Sequence, residues 1–76
     1  MSQKETTWLD LIPVRVVDPY TTDETFFVDE HDENGNHLEA YEFKTEEQAN
    51  YFIYLWMNEG ADAAIKYDHC LHRSRP

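Results

Sequence analysis

Between Phe26 and Phe43 apolar positions alternate with polar ones, and from Ala49 to Trp56 they recur every three to four residues. The first rhythm belongs to strands, whose side chains point to opposite faces in turn; the second belongs to one face of a helix. The alternating stretch is interrupted by Asn34-Gly35, a pair favoured in two-residue type I′ hairpin turns because both central positions need positive φ. Such a turn sets Glu33 opposite Asn36, Phe26 opposite Phe43 and Val28 opposite Tyr41. Those four apolar side chains then share one face, so the turn and the apolar pattern specify the same register. The register also places Glu30 opposite Glu39. Like charges directly opposite repel, so either both splay into water or the pair is held for a positively charged partner.

Upstream, Trp8–Val17 reads as a strand from its β-branched run Ile12, Val14, Val16 and Val17, with Pro13 favouring a sheet edge. Asp18-Pro19 ends it, and a polar loop runs to Asp23. Downstream, Thr45-Glu46-Glu47-Gln48 fits a capping box, in which the Thr45 hydroxyl serves the amide of Gln48 and the Gln48 side chain reaches back. Glu46 and Glu47 suit the positive end of the helix dipole. Ala49, Phe52, Ile53 and Trp56 form the inward stripe, and Gly60 stops the helix in a left-handed conformation. Asp62–Leu71 alternates again, with Ala63, Ile65 and Tyr67 on one face, and reads as a closing strand. The expected fold is α+β: an antiparallel sheet of about four strands, in chain order β-β-β-α-β, with one amphipathic helix on one face. All 76 residues form a single domain, with 1–7 and 72–76 as loose ends.

Size and composition sharpen this reading. A chain of 76 residues buries only about 60% of its unfolded surface, which leaves no room for a catalytic cleft with its own supporting shell. Eleven aromatic residues distinguish it from a disordered acidic tail. No run approaches the roughly 20 apolar residues of a membrane span, and a single cysteine, Cys70, points to a reducing cytoplasm. The net charge of −10 is unevenly placed. Eleven acids and one base, Lys44, lie between Asp18 and Glu47, whereas five acids meet five bases elsewhere. Direct binding to nucleic acid or an anionic membrane is therefore disfavoured, because neutralising phosphate requires Lys and Arg.

Motifs that carry chemistry fail on inspection. Glu30-x-Asp32-x-Asn34-Gly35 resembles the start of a calcium loop, but the twelfth position is Tyr41 instead of a bidentate Glu. His69, Cys70 and His72, with His31 or His37 at a distance, lack zinc-ligand spacing. Cys70 has histidines near it in sequence but no enclosing pocket is implied, and no carboxylate pair sits in an apolar setting that would tune it for acid–base work. No P-loop or dinucleotide fingerprint is present. A non-enzymatic protein without a cofactor is expected.

The binding reading rests on the hairpin. Phe27, Leu38 and Ala40 share its outward face with Asp29, His31 and Glu42, a small apolar patch rimmed by acids. Tyr51, Tyr54, Leu55 and Met57 lie off the helix stripe and supply contact area wherever they stay exposed. Counting Glu24, Asp29, Glu30, Asp32, Glu33, Glu39 and Glu42, the hairpin carries seven acids over a length of about 30 Å, or one per ~4–5 Å. A single nucleic-acid strand carries one per ~3.4 Å. In size, acidity and the hairpin-then-helix segment from Phe26 to Trp56, the chain resembles small phage and mobile-element inhibitors of host nucleic-acid machinery, including anti-CRISPR proteins and other DNA mimics. That resemblance has no defining motif, and implies inhibition by occupying a basic nucleic-acid-binding site of a host protein. The partner-binding candidates are Asp23, Glu24, Phe27, Asp29, Glu30, Asp32, Glu33, Glu39 and Glu42. The alternative is a structural or adaptor module, or a homodimer joined through an exposed edge strand, whose acids only keep it soluble.

Overall fold

The computed structural model describes residues 7–73. Its centre is the hairpin of β3 (Glu24–His31) and β4 (His37–Phe43). The expected register holds from Phe26↔Phe43 through Val28↔Tyr41 to Glu30↔Glu39, but for a different reason at the turn. The Asp32 amide bonds to the Asn36 carbonyl (2.9 Å) and the Gly35 amide to the Asp32 carbonyl (2.9 Å), so residues 33–35 form a three-residue connection. Gly35 takes the left-handed conformation (φ +89°), whereas Asn34 does not. This excludes a type I′ turn and matches a tight turn closed by one left-handed residue. Leu38 then bulges out of β4, because His31 pairs with His37 while Glu30 pairs with Glu39. The longer turn and the bulge cancel, which restores the register that the apolar face requires.

The segment expected as one edge strand is split. β1 (Trp8–Leu9) pairs with His31 and Glu30, and β2 (Val14–Val17) pairs with Phe27 through Glu24, both antiparallel to β3. Asp10–Pro13 spans only two positions of β3, Val28 and Asp29, so two extra residues are looped out around Pro13. A proline lacks the amide that an unbroken ladder uses. The sheet thus has β3 in the middle, β4 along one edge and the broken β1/β2 strand along the other.

Helix α1 (Glu46–Asn58) begins as expected, with the Thr45 hydroxyl accepting from the Gln48 amide (3.1 Å). The Gln48 side chain accepts from the Lys44 amide (3.2 Å), one residue before the position a capping box would use. Ala49, Phe52, Ile53 and Trp56 are all buried, against Phe26, Val28, Tyr41 and Phe43 of the sheet. Phe52 lies between Tyr41 (ring centres 4.7 Å apart) and Phe43 (5.1 Å), with Trp56 5.9 Å away. Burying these four helix side chains supplies much of the stability, at roughly 1.5–3 kcal/mol for a large apolar side chain.

The closing strand is not formed. Gly60 does turn left-handed (φ +106°), and its amide bonds back to the Leu55 carbonyl (2.9 Å), but a second helix, α2 (Ala61–Arg73), starts at once. The fold has two helices instead of one, and Asp62–Leu71 corrects to helix. Ala63, Ile65 and Tyr67 alternate, yet Ala61, Ala64, Ile65, Asp68 and Leu71 also recur at helical spacing. Three alanines in four positions favour the helix. Ala64 is fully buried, and Ile65, Tyr67 and Leu71 pack against the core. Residues 72 and 73, expected to be loose, extend α2; the other expected loose ends, 1–6 and 74–76, lie outside the described residues.

Candidate protein-binding surface

Side-chain alternation divides the sheet into two faces. Phe26, Val28 and Glu30 of β3, with Tyr41 and Phe43 of β4, point towards the helices and are buried. Thr25, Phe27, Asp29 and His31 point away and are half-buried, flanked by Val14 and Val16 on one side and Ala40 and Glu42 on the other. The helices cover one face and leave the other open.

This geometry disperses the nine candidate residues. Glu30 is the largest correction: it has no exposed surface and lies in the core, where one carboxylate oxygen accepts a hydrogen bond from the Tyr41 hydroxyl (2.8 Å). It cannot contact a partner, nor splay into water. Burial, followed by the hydrogen bond and charge of Glu30, with Glu39 and Asp68 adding to them, raises the Tyr41 phenol far above its ordinary value. The signal was present in the sequence, since Glu30 continues the parity of Phe26 and Val28.

Asp32 belongs to the turn. One carboxylate oxygen accepts from the amides of Asn34 and Asn36 (both 2.9 Å) and the other from the Asn36 side chain (3.2 Å). These bonds, led by the Asn36 amide, lower the carboxyl pKa below the usual range. Glu24 is exposed but bound to Arg15 (2.6 Å), and Asp29 is half-buried with His37 at 3.2 Å. Phe27 is half-buried on the open face, opposite Val14 and Glu42. That leaves Asp23, Glu33, Glu39 and Glu42 exposed and, among the described residues, without an ion-pair partner.

With Glu30 removed, and Asp32 committed to the turn, five acids remain on the hairpin over about 30 Å, or one per ~6 Å. This is a sparser series than a nucleic-acid strand. On β4 the acids without an ion-pair partner are Glu39, on the helix side with Tyr41 and Phe43, and Glu42, on the open face with Ala40, with Glu33 at the tip; at the start of α1 Glu47 is exposed, and Glu46 acts electrostatically on Arg15 of β2.

The opposite edge is apolar. Leu11, Ile12, Val14, Val16, Val17 and Tyr20 are all exposed, Ile12 at 80% and Tyr20 at 92%. The sequence pattern expects this strand at an edge, and among the described residues no element covers it. On the helices, Leu55 packs into the core and Tyr51 meets Tyr67 of α2 edge-on (4.9 Å), while Tyr54 and Met57 stay open to solvent. At the tip end of the sheet Trp8 stacks on His31 (4.4 Å), whose Nε2 lies 3.3 Å from Asp10. Cys70 is exposed on α2, and among the described residues no three His, Cys, Asp or Glu side chains converge as a metal site. No helix among those residues is long and apolar enough to cross a membrane.

No protein-family model matches the chain, and no curated protein or solved structure matches it.

Proposed function

We propose that this chain is a non-enzymatic cytoplasmic binding protein that docks the acidic β4 side of its hairpin onto a basic surface of another protein, inhibiting it where that surface ordinarily holds nucleic acid. One observation carries the reading: Glu33 at the tip and Glu39 and Glu42 along β4, the last two on opposite faces of that edge strand, are exposed without an ion-pair partner among the described residues. An acidic strand edge of this kind draws a basic surface in and sets orientation, acting chiefly on the association rate. Phe27 and Ala40, on the open face beside Glu42, supply short-range apolar contact. At one charge per ~6 Å the surface acts through charge complementarity and not as a replica of a phosphate backbone.

The test captures host proteins on the immobilised chain at low and high salt, then challenges them with oligonucleotide. Glu33→Lys/Glu39→Lys/Glu42→Lys should lose the salt-sensitive partner without losing the fold, since all three positions are exposed. Retention of the same proteins by parent and triple variant, with no displacement by DNA or RNA, would leave the acids as a solubilising surface.

A further inference from the structure

Among the described residues the β2 edge, Val14–Val17, bonds to β3 along one side only. In an antiparallel ladder the amide and carbonyl of each residue point to the same side, and the side alternates along the strand. The Asp18 amide bonds to the Asp23 carbonyl (2.9 Å), so Asp18, Val16 and Val14 direct their backbone groups to β3. Arg15 and Val17 therefore direct theirs outward, to the open edge.

Proteins commonly blunt such an edge with charge, a bulge or a covering segment. The β4 edge has two of these devices, the Leu38 bulge and the exposed Glu39 and Glu42. Leu11–Val17 contains no acid, in a chain with 16 of them, and its five large apolar side chains are exposed. Its one charge, the Arg15 guanidinium, is already bound to Glu24.

We propose that β2 pairs with β2 of a second copy of this chain, forming a two-fold dimer with one continuous sheet. Backbone parity fixes the register. Paired residues must both have outward groups and lie on the same face, which leaves three pairings centred on this strand. Arg15 against Arg15 of the copy opposes like charges, and Val17 against Val17 brings Arg15 opposite Pro19, which has no amide. Arg15 against Val17 of the copy, occurring twice, makes four backbone hydrogen bonds and sets Val16 opposite Val16 on the two-fold axis. Val14 then faces Asp18, one of whose carboxylate oxygens accepts from the amides of Tyr20 (2.7 Å) and Thr21 (3.2 Å) and holds the side chain in the turn.

Charge sets the conditions under which the dimer forms. Each copy carries a net charge of −10, so the copies repel at low salt. The unpartnered acids of β4 lie two strands from the contact, about 10 Å away, which is one Debye length at about 0.1 M salt. Salt therefore promotes self-association, the opposite of its effect on docking to a basic partner, so the two readings fail separately.

The experiment measures mass by sedimentation over a range of concentration and salt, together with cysteine crosslinking in a Cys70→Ser background, since Cys70 is itself exposed. The parent should shift from one-chain to two-chain mass as concentration and salt rise. Val17→Pro removes an outward amide from each copy without touching the β3 ladder, and should weaken association about tenfold or more. Val16→Lys, which lowers the net charge yet opposes like charges on the axis, should also keep the chain monomeric. Val16→Cys should form an intermolecular disulfide readily, because directly opposed residues fall within disulfide reach, whereas Val14→Cys should not. A chain that stays monomeric in high salt, or crosslinks equally from both positions, overturns the dimer. If Val17→Pro instead abolishes binding of a captured protein by a monomeric parent, that protein's strand occupies the edge and the dimer is likewise overturned.

Discussion

A carboxyl group with no exposed surface is costly unless its oxygens are bonded, and Glu30 accepts such a bond from the hydroxyl of Tyr41, whose ring packs against Phe52 and Trp56. Tyr41→Phe removes that donor while leaving the Glu30 carboxyl group buried. It should cost on the order of 1–3 kcal/mol in denaturant unfolding; a change within the error of the parent would mean that Glu30 is satisfied without it. The phenol itself gives a pH dependence. Burial and Glu30 raise Tyr41, and burial raises Tyr67, above the ordinary value of 10.0. A raised folded-state value stabilises fully below the unfolded value and is lost as pH climbs past it. Stability should therefore decline above pH ~10, with phenolate absorbance showing two tyrosines that resist ionisation until the fold opens. Asp32 acts in the other sense. Its lowered value means that its turn contribution is present above the usual carboxylate range and fades as pH falls through the lowered value. The role of Glu30 could be read from its parity with Phe26 and Val28. The partners of Asp29 and Asp32 needed the turn geometry, because Asn34, Asn36 and His37 take up their positions only once the three-residue connection forms.

At the level of elements, the difference between a strand and a helix over Asp62–Leu71 turns on which alanine faces inward. In the helix Ala64 has no exposed surface and Ala63 is half-buried; in a strand with Ala63, Ile65 and Tyr67 inward the order would be reversed. Ala64→Leu should therefore cost about 1–3 kcal/mol by overpacking, and Ala63→Leu distinctly less. Thermal unfolding of the two variants checks this, and a reversed order would restore the strand. Gly60, between the helices, has φ +106° and nothing near the position a Cβ would occupy. Gly60→Ala should then cost about 1–2 kcal/mol through backbone strain alone.

For the molecule as a whole, Trp56 and charge set the balance. Trp56 closes the aromatic cluster over the sheet, so Trp56→Ala should cost roughly 3–5 kcal/mol, comparable to the whole stability of so small a domain. A melting temperature within a few degrees of the parent would place the core elsewhere. Among the described residues Arg15–Glu24 is the one ion pair with a permanently charged base. Repulsion among the remaining acids therefore dominates, and moderate salt should raise the melting temperature of the dilute protein. A fall on adding salt would show that the acids are mostly paired.

What the sequence determined by itself is local. The pairing of Phe26 with Phe43, the Thr45 cap, the buried stripe from Ala49 to Trp56 and the left-handed Gly60 each depend on residues a few positions apart or on the period of one element. The cancelling turn and bulge show that the apolar face, and not the turn type, held the register. What only the tertiary structure decided is which surfaces meet. Asp62–Leu71 satisfies both periods, and packing Ala64 against the core selected the helix. The same packing enclosed Glu30 and covered one face of the sheet, leaving Leu11–Val17 as an open apolar edge. Burial depends on what lies across the core, and no pattern within a single segment encodes that.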